Sequence, residues 1–187
     1  MDHTHLERAV DGFARRWSEI RPTQWGDPTP CADWDVRTLL NHVVAELLWI
    51  PPLVSGQTIT EVGDRFDGDV LGAGPKETAS VAARAAVEAA STPGLLERTI
   101  HLSFGDFPGV DYLSQITSDV VIHSWDLARA VGADEHLDVE LVAEVDAFLS
   151  PQLDAWRSAG TFGPAIDVPE SVDPQTRLLA WTGRDPS

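Results

Sequence analysis

The sequence is short of cysteine and of positive charge, and each shortage removes an option. Cys31 is the only cysteine in 187 residues. An intrachain disulfide and a four-cysteine zinc site are therefore excluded, and a reducing compartment fits. Lys and Arg number 13 against 30 Asp and Glu, a formal net charge of −17, and Lys76 is the only lysine. Such an excess of carboxylates repels phosphate, so no nucleic-acid partner is expected. No apolar run reaches the roughly 18 residues that suggest a membrane helix. The opening MDHTHLERAV is polar and charged, unlike a signal peptide. A cytoplasmic protein without a membrane partner, monomeric or homodimeric, is the expectation.

What is present is enough for a core. The chain is 43% hydrophobic and 23% charged, which is not a disordered composition. Leu6, Val10, Phe13, Trp17 and Ile20 follow helical spacing after Thr4, a candidate cap, and Arg21-Pro22 ends that helix. Residues 21–34 hold three prolines and a glycine, an irregular connection. Trp25 and Trp34 within it are expected to pack down. A second helix is read over 35–50, capped by Asp33 or Asp35 and stopped by Pro51-Pro52. The polar, Gly- and Asp-containing stretch 54–75 is too long for a simple turn and is a candidate functional loop.

An Ala-rich helix over 76–91 starts behind Pro75. Residues 92–109 read as an extended excursion or short hairpin. Residues 110–132 carry the strongest helical pattern, closed by Gly132. Pro151 should kink or split a helix over 138–160. Asp173 and Pro174 open a last short helix that Gly183 ends. Long amphipathic helices with little strand imply an all-α bundle with long loops and a short β excursion.

Polar residues interrupt the two best helices in matching places. Asp119 and His123 lie together on one flank of the apolar stripe of 110–131, with Asp126 slightly further round. On 35–50, His42 occupies the corresponding flank, with Glu46 one turn on. Residues at i and i+4 have Cβ atoms roughly 5–6 Å apart, close enough to share one cation. His42, Asp119 and His123 would form a set of two imidazoles and a carboxylate, with open positions for other ligands. An ordinary i,i+4 pair and a partly buried histidine explain the same spacing. Asp126 could hold the His123 ring or meet an arginine, and Glu46 could supplement Asp119. Cys31, with no base beside it in sequence, is expected to be a buried structural thiol. Arg177 and Arg184 are expected to cap and pair within the last helix.

TPCADWDVRTLLNHVV (29–44), FGDFPGVDYLSQITSDVVIHSWDLARA (104–130) and RLLAWTGRDP (177–186) together resemble the mycothiol-dependent maleylpyruvate isomerase-type metal-binding domains of the DinB/YfiT-like superfamily. The likeness runs in order over nearly the whole chain. Its PxPCxxWxVxxLxxH and HxWDLA patterns are weak singly and fairly specific together. The resemblance implies a DinB/YfiT-like four-helix bundle, with residues 1–187 as a single metal-binding domain. It places the family's three ligands on His42, Asp119 and His123, with aspartate where glutamate is commoner. The shorter side chain would draw an ion towards the helix or bind it through water.

It further implies a divalent metal, zinc first and nickel as the alternative, and mycothiol as a thiol cofactor. A metal-dependent S-transfer or isomerisation on a small electrophilic substrate is the function expected from it. A non-catalytic, stress-associated metal- or ligand-binding bundle is the other reading, and no catalytic residue is identifiable. The family's isomerases carry a further C-terminal domain that contributes to the active site. This sequence stops soon after GRDP, so activity on maleylpyruvate itself is not expected.

Overall fold

The structure, a computed structural model, describes residues 1–169 and 171–187. Four helices make the bundle: α1 (His3–Glu19), α2 (Val36–Val54), α4 (Pro75–Ala90) and α5 (Gly109–Val131). A short α3 (Ile59–Val62) lies between α2 and α4. Between α4 and α5, β1 (Thr99–Leu102) and β2 (Gly105–Pro108) form an antiparallel hairpin with Ile100 opposite Phe107. After α5 come α6 (Val139–Leu149), α7 (Leu153–Ser158) and α8 (Pro174–Trp181). Among the described residues, no helix is long and apolar enough to cross a membrane.

The expected stripes form the core. Leu6, Val10, Phe13 and Trp17 of α1 meet Leu39, Leu40, Val43 and Leu47 of α2 and Leu113, Val120 and Leu127 of α5 in one buried cluster. In α4, Ala79, Ala82, Ala83, Ala86 and Ala90 are buried at helical spacing, small enough to let the backbone close on its neighbours. Lys76 then locks α4 to the end of α1, donating from Nζ to the Ser18 and Ile20 carbonyls at 2.8 and 2.7 Å. α5 is buried round most of its circumference, because α1 and α2 cover one side while α6 and the chain end approach the other.

Three local expectations need correction. Asp2, not Thr4, caps α1, through a reciprocal box with His5. Pro51 and Pro52 do not stop α2, which runs two residues past them to Val54. Neither nitrogen can donate, but Ser55 and Gln57 donate to the two proline carbonyls and Leu53 and Val54 are buried by the extension. Residues 54–75 are not a free loop. α3 carries its own Thr58–Glu61 capping box, Leu71 is buried, and Asn41 and Arg37 of α2 tie down Val70 and Asp69. The hairpin, the Gly132 cap and the break at Pro151 stand as expected.

Gly109 anchors the hairpin to α5. A Cβ there would lie 2.0 Å from the Leu95 carbonyl oxygen, so only glycine permits this approach.

Candidate metal centre and its cleft

α2 and α5 pack side by side, and their polar flanks face one another. Asp35 caps α2 by accepting from the Thr38 amide, which sets the helix register that brings His42 round to α5. His42 Nε2 lies 3.3 Å from Asp119 Oδ2, and His123 Nε2 lies 3.3 Å from Asp119 Oδ1. One donor atom from each of His42, Asp119 and His123 lies within 4.8 Å of the others. The two imidazole rings meet edge to face, centroids 5.1 Å apart at 78°. The expected trio is thus brought together; Glu46 lies outside it.

Two details give the trio direction. His123 Nδ1 is 2.9 Å from Asp126 Oδ2, so a proton on Nδ1 leaves the Nε2 lone pair aimed at Asp119 and His42. Asp119 Oδ2 is buried, yet makes no hydrogen bond to any described residue despite its closeness to His42. A buried carboxylate oxygen without a donor is costly in a folded protein. Two nitrogen donors and an oxygen converge here on one point, and this fits a divalent cation of zinc's type.

Charge at the site is tightly balanced. Burial alone would lower the His123 pKa. The Asp119 charge, with hydrogen bonds from the ring to Asp119, Asp126 and Cys31, overrides it and raises the value well above the ordinary range. Burial pushes the Asp119 pKa up, but the two histidines outweigh it and hold the group well below the usual carboxylate range. Glu46 moves the other way, raised first by burial and then by the Asp119 charge.

A second cluster lies on the far side of His123. Asp126 is fully buried and accepts from Arg184 Nη2 at 2.9 Å and from Cys31 Sγ at 3.2 Å, besides His123. Burial would raise its pKa; the His123 hydrogen bond and the Arg184 charge lower it to about 2. Cys31, His123 and Asp126 also have donor atoms within 4.8 Å of one another. There, however, the guanidinium already supplies the positive charge and fills the carboxylate's hydrogen-bonding capacity, so this cluster does not call for a cation. Cys31 is accordingly not the fully buried thiol expected: it is half-buried and lines the cleft. Arg184 pairs not within the last helix but across to α5. Asp126 meets both a ring nitrogen and an arginine, which sequence spacing had offered as alternatives. His101 points outward, paired with Asp106 across the hairpin.

The cleft has two arms that share His42, Gln115, Asp119, Trp156 and Thr161. One, of about 480 Å³, runs past Trp34, Cys31, Phe162 and Arg184. Trp34 lies over both imidazoles, 4.9 Å from His42 and 5.7 Å from His123. Gly183, at φ 82°, packs backbone to backbone on Gly163; a Cβ there would come within 3.1 Å of it, so this arm's floor requires glycine. The other arm, of about 620 Å³, opens between the hairpin and α7, walled by Phe104, Phe107, Ile116 and Trp156. No residue of 54–75 lines either arm, so the walls are the hairpin and the 152–163 segment rather than that candidate functional loop. Sequence reasoning missed Trp34, Trp156, Phe107 and Arg184 as wall residues. For Trp34, Phe107 and Arg184 the available signal was that TPCADW, FGDFPG and TGRDP lie within the segments carrying the family resemblance; Trp156 had none.

Comparisons with known proteins bear on the family and the fold. Residues 6–128 match the family model for the mycothiol maleylpyruvate isomerase N-terminal domain. Two proteins of Mycobacterium tuberculosis, Rv0738 in strain H37Rv and MT0763 in strain CDC 1551, are each 33% identical over 183 residues, covering 95% of this chain and 94% of their own; both are described as uncharacterised. A crystal structure of a histidine-to-alanine mutant of mycothiol-dependent maleylpyruvate isomerase superposes with a TM-score of 0.68 at 16% identity, covering 91% of this chain and 76% of that one. At that identity the likeness is one of fold.

Proposed function

The chain belongs to the mycothiol maleylpyruvate isomerase N-terminal domain family, and from that premise we propose that it is a cytoplasmic, metal-dependent enzyme joining a low-molecular-weight thiol, mycothiol or a close analogue, to a small electrophile. Residues 1–187 would act as one metal-binding bundle domain. His42 and His123 through Nε2, and Asp119 through its carboxylate, would hold a divalent ion, zinc first. Such an ion, when bound, keeps a coordinated thiol deprotonated and nucleophilic near neutral pH.

The chain's own residues account for the rest. Asp126 accepts the His123 Nδ1 proton and fixes the ring, and Arg184 and Cys31 hold Asp126 in turn. Trp34 covers both imidazoles and keeps water from that face. The two arms meet at the trio, so a thiol entering by one and an electrophile by the other would be brought together there. The observation that carries this reading is the buried, undonated Oδ2 of a carboxylate flanked by two imidazole nitrogens, His42 Nε2 at Oδ2 and His123 Nε2 at Oδ1.

Elemental analysis of the purified protein comes first, with about one equivalent of a divalent transition metal expected. Loaded protein incubated with mycothiol and a panel of electrophiles should then consume thiol faster than metal-free protein. Metal without thiol consumption would support the alternative, a non-catalytic metal-binding bundle. No metal, even after reconstitution, would end both.

A further inference from the structure

The two arms differ in chemistry, and the difference bears on the second substrate. Arg184 lines the first arm; among the described residues lining the second there is no lysine or arginine. Its acidic side chains are Glu46 and Asp119, and its one imidazole is the shared His42. Its apolar wall is made of rings. Phe104 and Phe107 sit 5.2 Å apart at 58° on the hairpin, and Trp156 faces them from α7. Phe104 is 68% exposed at the hairpin's turn, a position where a large apolar ring gains little from the fold. The hairpin holding it is not loose, because Ile100 is buried and Gly109 is wedged against Leu95.

We propose that this arm takes a neutral, apolar, ring-sized electrophile and disfavours anionic ones, dicarboxylates included; the word electrophile rests on the thiol-transfer reading above, while the binding preference rests on the arm alone. An acid entering here would meet two acidic side chains and no lysine or arginine, and the one imidazole, His42, already faces Asp119. Like-charge contact of this kind is the common device by which a site rejects a wrong partner. A dication on the trio does not alter the balance. Asp119 offsets one of its charges and a thiolate the other, leaving nothing positive for a substrate carboxylate. A flat apolar ring, by contrast, covers Phe104 and Phe107 and removes both from water.

The test is equilibrium binding of methyl naphthoate and of naphthoate, matched in ring and opposite in charge state, by isothermal titration to metal-free protein and to protein loaded with both zinc and thiol. The ester is expected to bind at least about tenfold tighter than the acid in both forms. Phe104→Ser, at an exposed site that cannot upset the core, should weaken the ester several-fold. Ala155→Phe, which fills the arm from an exposed position on α7, should do so more strongly. Glu46→Gln should narrow the gap by strengthening the acid alone. Equal binding of ester and acid, no binding of either, or an ester affinity untouched by Phe104→Ser and Ala155→Phe would each overturn the proposal. Loaded protein that prefers the ester but never consumes thiol would sink the thiol-transfer reading and leave the binding preference standing. Thiol consumption without the preference would do the reverse.

Discussion

Asp119 and Asp126 lie two turns apart on the same helix, one at each nitrogen of His123, and they are opposites. Asp126 has no exposed surface and is saturated by an imidazole, a guanidinium and a thiol. Asp119 is 29% exposed to the cleft and keeps one oxygen without a donor. Residue type does not separate them, and neither does spacing. What separates them is whether the fold has already supplied a cation. Beside Asp126 it has, in Arg184; beside Asp119 it offers only two imidazoles, whose charge is conditional on pH. A carboxylate completed by a fixed cation positions its neighbours, and one left short is where an exogenous cation belongs.

The largest effect that would break this comparison is on metal affinity. His42→Ala and Asp119→Asn each remove a donor from the trio, and each should lower zinc affinity beyond the roughly 10–100-fold that loss of an outer partner costs. Asp119→Glu should retain binding, since the family commonly carries the longer carboxylate. Competition titration against a chelator of known affinity reads all three. Equal affinities for wild type and Asp119→Asn would remove Asp119 from the ligand set and make Glu46 the better candidate.

Stability should show the reverse order. Asp126→Ala leaves the Arg184 guanidinium, itself only 12% exposed, without its counter-charge. Arginine cannot shed its proton, so the expected loss is about 3–5 kcal/mol. Asp119→Asn in metal-free protein should cost clearly less, because His123 can neutralise itself by releasing a proton. Urea denaturation of the two metal-free variants checks the order. A larger loss for Asp119→Asn would reverse the assignment of which carboxylate is structural.

The asymmetry between these two sites is the part that sequence could not reveal. Helical spacing placed His42, Asp119 and His123 on facing flanks, because stripe and flank follow from a period of 3.6 residues. Turn and breaker residues located the excursion that forms the hairpin, the Gly132 cap and the break at Pro151. Neither signal could bring Arg184 onto Asp126 across 58 residues, or Trp34 over the imidazoles, since those contacts arise only when the chain end and the 21–34 connection fold back on α5. Cys31 was misread for the same reason: the base it meets is 92 residues away. The prolines of α2 misled because a helix-breaking residue is decided locally in sequence and by burial in the fold.

A smaller and more gradual effect is expected from pH. The folded pKa of His123 lies well above its ordinary value of about 6.5, so metal-free protein gains stability from this group below about pH 6.5 and loses it as pH rises through the folded value. Metal binding must displace that proton. Zinc affinity should therefore keep rising through neutral pH instead of levelling above 6.5, with close to one proton released per ion near pH 7. Asp126 works at the other end. With a folded pKa of about 2 against about 3.9 unfolded, it contributes above pH 4 and is lost as pH falls towards 2. Titration calorimetry in buffers of differing ionisation enthalpy counts the protons; none released at pH 7 would show His123 neutral in the metal-free protein.

The smallest expected effect is the one that decides between the two clusters sharing His123. Cys31 with His123 Nδ1 and Asp126 makes a second set whose donor atoms are as close as those of the trio. If an ion sat there, the thiolate would be its strongest ligand and Cys31→Ser would abolish binding. The structure argues otherwise: Cys31 Sγ donates to Asp126 at 3.2 Å, a hydroxyl can make the same bond, and Arg184 repels a cation from that side. Cys31→Ser should thus change stability by less than about 1 kcal/mol and zinc affinity by only a few-fold, well short of the loss in His42→Ala. Cobalt substitution gives an independent readout, because a thiolate ligand adds an intense near-ultraviolet charge-transfer band. Its absence in wild type, with binding intact in Cys31→Ser, places the ion on the Nε2 side of His123; a strong band lost on Cys31→Ser would move it to the Nδ1 side and leave Asp119 without the cation that its geometry was read to require.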